Sequence, residues 1–108
     1  MAVNQDYLDY VLEQLSLVPG VEVKRMFGGV GFFKEGIMFA MIGGAVFRLR
    51  VDESNQADFE KYDMKPLQPN PNKKGMPYWE VPSHVLEDRD ELKEWAEKAF
   101  EVAVSNKK

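Results

Sequence analysis

The stretch RMFGGVGFFKEGIMFA, residues 25–40, decides how this chain is read. It places Gly28, Gly29, Gly31 and Gly36, half of the eight glycines, among strand-favouring aromatics. Such a run is either a loop that cradles phosphate or a strand–turn–strand whose glycines shape a sheet. A phosphate loop needs a Gly-Lys-Ser/Thr end leading into a helix, whose amides and dipole hold the anion. Gly31 and Gly36 have the separation, but Ile37-Met38 stand where Lys-Ser/Thr belongs. The dinucleotide fingerprint also fails, because Lys34 occupies the place of its third glycine. The glycines run instead into Phe32-Phe33, a strand-like pair, and no helix begins there. Gly28, Gly29, Gly31 and Gly36 therefore read as structural: bulge and turn positions where a side chain would clash or demand an unfavourable φ.

Around this stretch the apolar pattern has a period of two. VEVKRMF (21–27) alternates up to Gly28-Gly29, Val30 to Phe33 is a second run closed by Lys34-Glu35-Gly36, and IMFAMI (37–42) is a third. Gly43-Gly44 is a hairpin signal. AVFRLRV (45–51) completes the meander, with Phe47, Leu49 and Val51 on one face and Val46, Arg48 and Arg50 on the other. MPYWEV (76–81) reads as a fifth strand. Pro77 suits an edge or a strand end, since it cannot donate to a ladder.

Helical spacing frames these strands. Residues 4–18 form a first helix, with Asn4 as cap and Leu8, Val11, Leu12, Leu15 and Val18 as one stripe, ended by Pro19-Gly20. Asp52 caps a short helix reaching about Tyr62, with Phe59 as core anchor, and PLQPNPNKKG (66–75) is a loop. Asp88 or a neighbour caps a long last helix whose stripe is Leu92, Trp95, Ala96, Ala99, Phe100 and Ala103. The expected fold is α+β, a single domain over residues 1–108. It has an N-terminal helix, an antiparallel sheet of about five strands, a helix between strands four and five, and a long C-terminal helix packed on the sheet.

The bulk numbers narrow the function. A chain of 108 residues with 44% hydrophobic and 30% charged residues buries a core without staples. It has no cysteine, which removes disulfides, thiolate catalysis and zinc–thiolate sites. No apolar run spans a bilayer and the start lacks signal-peptide regions, so the expected location is the cytoplasm, away from membranes. The net charge of −4 gives no general attraction to nucleic acid; any such binding needs a local basic patch. The sole histidine, His84, adjoins Ser83, and neighbours in one segment rarely face each other as nucleophile and base. Asp88, Asp90 and Glu91 look like a carboxylate cluster, but acids belong in a first helical turn. The reading is of a protein that is not an enzyme and has no catalytic residue, metal or cofactor.

Two features remain. Lys24, Arg25, Arg48 and Arg50 lie on strands, with Lys73-Lys74 in the loop before the fifth. Joined with Tyr78 or Trp79 they would make a basic, aromatic surface for single-stranded nucleic acid. The simpler expectation pairs the arginines with Glu22 and Glu80 across the sheet. IMFAMI is apolar on both faces, Ile37, Phe39 and Met41 on one and Met38, Ala40 and Ile42 on the other. Either the fold covers both faces or the second meets another molecule, and methionines suit adaptable protein contacts.

RMFGGVGFFKEGIMFA resembles the signature of the TfoX N-terminal domain family, and the likeness continues through FRLRVDESN, YWEVP and LKEWAEKAF, roughly residues 21–103. The resemblance implies a small α+β domain linked to regulators that promote competence genes in some bacteria, in concert with the cyclic-AMP receptor protein. Those regulators carry a second, C-terminal domain, and the resemblance transfers no catalytic or ligand residues. The expected role is an accessory regulator of transcription that acts through protein contacts, with Arg25, Arg48, Arg50 and Met38 as candidate contact residues. The expected partner is another protein, in the transcription machinery, with a homodimer as a further expectation. Direct nucleic-acid binding by the basic strands is the less favoured alternative, and a small-molecule-binding or enzymatic domain the second.

Overall fold

Gly20, at φ +76°, turns the chain from its first helical segment into the sheet, a backbone angle open to glycine at little cost. The computed structural model describes residues 5–26, 29–43, 46–64 and 77–106. Helix α1 (Gln5–Gln14) runs into a 3₁₀ turn (Leu15–Leu17). Leu8, Val11, Leu15 and Val18 are buried as their spacing predicts, and Leu12 is half-buried. The expected cap Asn4 lies outside the described residues.

Strands β1 (Val21–Met26), β2 (Gly29–Lys34), β3 (Ile37–Gly43), β4 (Val46–Arg50) and β5 (Tyr78–Glu80) pair antiparallel in sequence order. Met26 faces Gly29 at the end of the β1–β2 register, and the turn role of Gly28 falls outside the described residues. Gly29 opens β2 rather than turning. Gly31 is not a bulge either: it sits in regular register between Lys24 and Met41. The irregularity comes between Phe32 and Phe33, where Phe39 is the extra residue on β3. A bulge lets two consecutive side chains turn toward one side. Phe39 and Ala40 are both fully buried, and Phe39 meets Phe100 edge-on at 6.3 Å.

The second hairpin obeys the sequence closely. Glu35 and Gly36 have φ +54° and +79° between the paired Lys34 and Ile37. Two positive φ values mark the turn whose twist matches that of the strands. No atom lies within 4 Å of a Cβ built on Gly36, so Gly36→Ala meets backbone strain alone. It is expected to cost about 1 kcal/mol, read as a lower urea midpoint with an unchanged slope. Gly43 pairs with Val46, and Gly44 lies outside the described residues.

After β4 the expected helix is shorter than its pattern. Helix α2 spans Gln56–Glu60 with Asn55 at its cap position, not Asp52. Asp52 instead accepts from Ser54 N (2.7 Å) and Ser54 Oγ (2.6 Å), which holds its carboxyl below the usual 3.8. The stretch PLQPNPNKKG is outside the described residues, with Lys73 and Lys74. Strand β5 is an edge, and the Pro77 carbonyl before it accepts from Val51 N at 2.9 Å. A one-turn helix that the pattern did not predict, α3 (Ser83–Leu86), precedes α4 (Arg89–Ser105). Asp88 caps α4 by accepting from the amides of Asp90 (3.0 Å) and Glu91 (3.2 Å).

Helix α4 packs on β3 and β4, and α3 and the 3₁₀ turn pack on α4. Its buried Ala96, Ala99 and Ala103 are small enough for close approach to Phe32, Phe39, Ile42, Phe47 and Leu49, all 1% exposed or less. Val102 is buried as well, while Trp95 and Phe100 are only partly buried. No helix among the described residues is long and apolar enough to cross a membrane.

Candidate interaction face

Alternation carries every second strand residue away from this core. The register aligns Lys24, Gly31, Met41, Arg48 and Glu80 in one row across all five strands. Glu22, Phe33 and Met38 align in a neighbouring row, and Arg50 faces Tyr78. The helix packing described above engages the opposite face of the sheet. Phe33, Met38, Met41, Arg48 and Arg50 are half-buried. Lys24 Nζ sits 5.7 Å from the Phe33 ring centre, and the Arg50 guanidinium 5.6 Å from that of Tyr78. Met38, Arg50 and Tyr78 border a shallow groove of about 270 Å³ at the end of α4.

The guanidinium groups do not pair as expected. Glu22 faces Phe33, three strands from β4. Glu80 faces Arg48, yet Arg48 Nη1 donates to the Gly43 carbonyl at 3.1 Å. Among the described residues the ion pairs are Arg89–Glu13 (3.6 Å) and Lys93–Glu97 (3.5 Å), both away from this face. The Nε atoms of Arg48 and Arg50 are shielded from solvent and have no acceptor among the described residues. Burial lowers the pKa of Arg48 from its ordinary value, while the Glu80 carboxylate pulls it back up. Arginine nonetheless stays a cation at neutral pH. Beside it, burial raises the Tyr7 phenol above 10.0, against the lowering effect of the Phe47 N–H, which donates to its oxygen at 3.2 Å.

Of the four candidate contact residues, three therefore share a face: Met38, Arg48 and Arg50. Arg25 does not join them. It lies with Val21 and Val23 on the helix side of β1, and its Nη2 donates to Gln5 Oε1 of α1. The face assignment of IMFAMI is corrected by the Phe39 bulge. Phe39, Ala40 and Ile42 turn to the core, and Met41 joins Met38 outside. Met41 is thus a member that alternation alone missed, while Phe33 follows from the regular alternation of β2. Tyr78 belongs to the face, whereas Trp79 turns inward toward Phe59, 6.2 Å between ring centres.

The remaining candidates are spread elsewhere. His84 meets Tyr62 edge-on at 4.5 Å, within an aromatic cluster that includes Trp95 and Phe59. Open grooves of about 390 and 400 Å³ lie between α2 and α4 and between α1 and α3, away from Gly29 and Gly31. What the open sheet face offers chemically is binding. Thioethers and aromatic edges give apolar contact, and guanidinium donors suit an anion.

A five-stranded meander with its helix packed on one face defines the chain as a small α+β domain whose other sheet face is left open by the helices among the described residues. Within that class it belongs to the TfoX N-terminal domain family, whose model matches residues 13–103. The match takes in every strand and most of α4. No curated protein sequence matches the chain.

Proposed function

We propose that this domain is a non-catalytic accessory regulator of transcription, related to competence control, that docks its open sheet face onto a protein partner. The observation that carries the reading is the gathering of Met38, Met41 and Phe33 on one face with the half-buried Arg48 and Arg50, which form no ion pair among the described residues. The half-exposed guanidinium ends suit a partner carboxylate, while the methionines adapt to its apolar surface. Membership of the TfoX N-terminal domain family supports the regulatory side of the reading.

Titrating the domain against RNA polymerase and the cyclic-AMP receptor protein tests it. Binding to one of them is expected, with affinity falling at least about tenfold in Met38→Asp and in Arg48→Ala/Arg50→Ala. Binding that survives both changes would overturn the proposal. The presence of Lys24, Arg48 and Arg50 on the same face as aromatic Phe33 and Tyr78 also favours direct nucleic-acid contact as a second reading. A gel shift that weakens steeply with salt and vanishes in the arginine pair would put nucleic acid in place of the protein partner.

A further inference from the structure

We propose that the chain forms a two-fold dimer through the free edge of β1, with Val23 on the axis and Glu22 of each copy facing the partner's Lys24. This edge is distinct from the open face, and the dimer does not depend on the function proposed there.

Strand β1 ends the sheet and is six residues long, twice the length of β5 at the opposite edge. Its register with β2 is regular through all six pairs, so no bulge twists the edge away, and no proline interrupts it. Among the described residues no backbone hydrogen bond outside the β1–β2 ladder reaches it. An edge of this kind presents a row of unpaired N–H and C=O groups to any strand that arrives.

Charges on an edge usually repel such a strand, and Glu22, Lys24 and Arg25 are all exposed. Their order decides otherwise. Facing residues of an antiparallel pair share one face, so a strand paired with its own copy must centre on a single residue. Centred on Glu22, two carboxylates meet. Centred on Lys24, two ammonium groups meet. Centred on Val23, the two valines meet on the helix side, and Glu22 faces the partner's Lys24 twice by symmetry. In the same register the stem of Arg25 lies over the partner's Val21, a half-buried residue with room for cover. One register is attractive and its two neighbours are repulsive, which is how a self-complementary edge is specified. The result is a continuous sheet of two meanders whose open faces point the same way.

Sedimentation from about 1 to about 500 µM tests the dimer, a range that spans moderate affinities. Wild type is expected to show reversible monomer–dimer exchange. Glu22→Lys and Lys24→Glu are each expected to weaken it at least about tenfold, because each puts like charges opposite one another. The double change Glu22→Lys/Lys24→Glu should restore wild-type association, and an equimolar mixture of the two single variants should form a mixed dimer. Arg48→Ala/Arg50→Ala should leave association unchanged, which separates an edge dimer from one made through the open face. A wild-type monomer across the range would overturn the proposal. So would single reversals that associate like wild type, or a double change as weak as the single ones.

Discussion

Phe47→Ala is expected to lower the unfolding free energy by about 4 kcal/mol, the scale for emptying a buried aromatic site. Phe47 is 1% exposed, lies opposite Ile42 and meets Phe32 edge-on at 5.5 Å. Its amide and carbonyl hold Tyr7 Oη and Val81 N, and alanine keeps both backbone groups, so the loss is one of packing. The sheet holds the void's walls in place, because neighbouring strands cannot close in without breaking ladder bonds. A small domain has about 5–15 kcal/mol in total, so the change should be plain in a urea titration. A loss under about 1.5 kcal/mol would mean that the site collapses around the smaller residue. Trp95, which the helical stripe marks as core, is partly buried beside an open groove. Its removal should cost less than that of Phe47.

Asn55→Ala is expected to cost about 2 kcal/mol, through unmade hydrogen bonds rather than lost volume. Asn55 is 2% exposed. Its Oδ1 accepts from Asp52 N at 2.8 Å and its Nδ2 donates to the Arg50 carbonyl at 3.1 Å. Alanine leaves one donor and one acceptor unpaired in a buried corner. Asn55→Asp should be nearly as costly, since a carboxylate cannot donate to the Arg50 carbonyl. The bond fixes the end of β4, where Arg50 leaves the sheet, so both variants should also weaken partner binding by the open face. Thermal unfolding read beside the binding titration checks the two effects together. Full stability in Asn55→Ala would show the corner to be wet.

Period and punctuation make most of the fold legible in the sequence. Glu35-Gly36 and Gly43-Gly44 place two hairpins, Asp88 places the start of α4, and the alternation of β4 puts Arg48 and Arg50 opposite Phe47 and Leu49. The bulge at Phe39 is not legible. An extra residue leaves the composition of a strand unchanged and alters only its phase, so an apolar run hides it. That one slip moves Met41 from the face of Phe39 to the open face beside Met38. Alternation puts Arg25 on the correct side, with Val21 and Val23, but its partner Gln5 lies twenty residues back on another element. Gln14 is invisible for a similar reason. It is buried within the apolar stripe because its amide donates to the Leu86 carbonyl (2.9 Å) and its oxygen accepts from Arg89 Nε (3.2 Å). Pairings this distant in the chain leave no local pattern.

The strand order also has a consequence for synthesis. Each strand pairs with its predecessor, so the first four pair by closing only short loops, and the sheet can begin to assemble as the chain leaves the ribosome. Its lid comes last, because α4 comes after every strand in the sequence. Until α4 has emerged, Phe39, Ile42 and Leu49 have no helix from that end to cover them, and the nascent sheet is greasy on one side. Exposure of that kind invites association with other chains. The vulnerable interval lasts as long as it takes to translate from β4 to the end of α4, about half the chain.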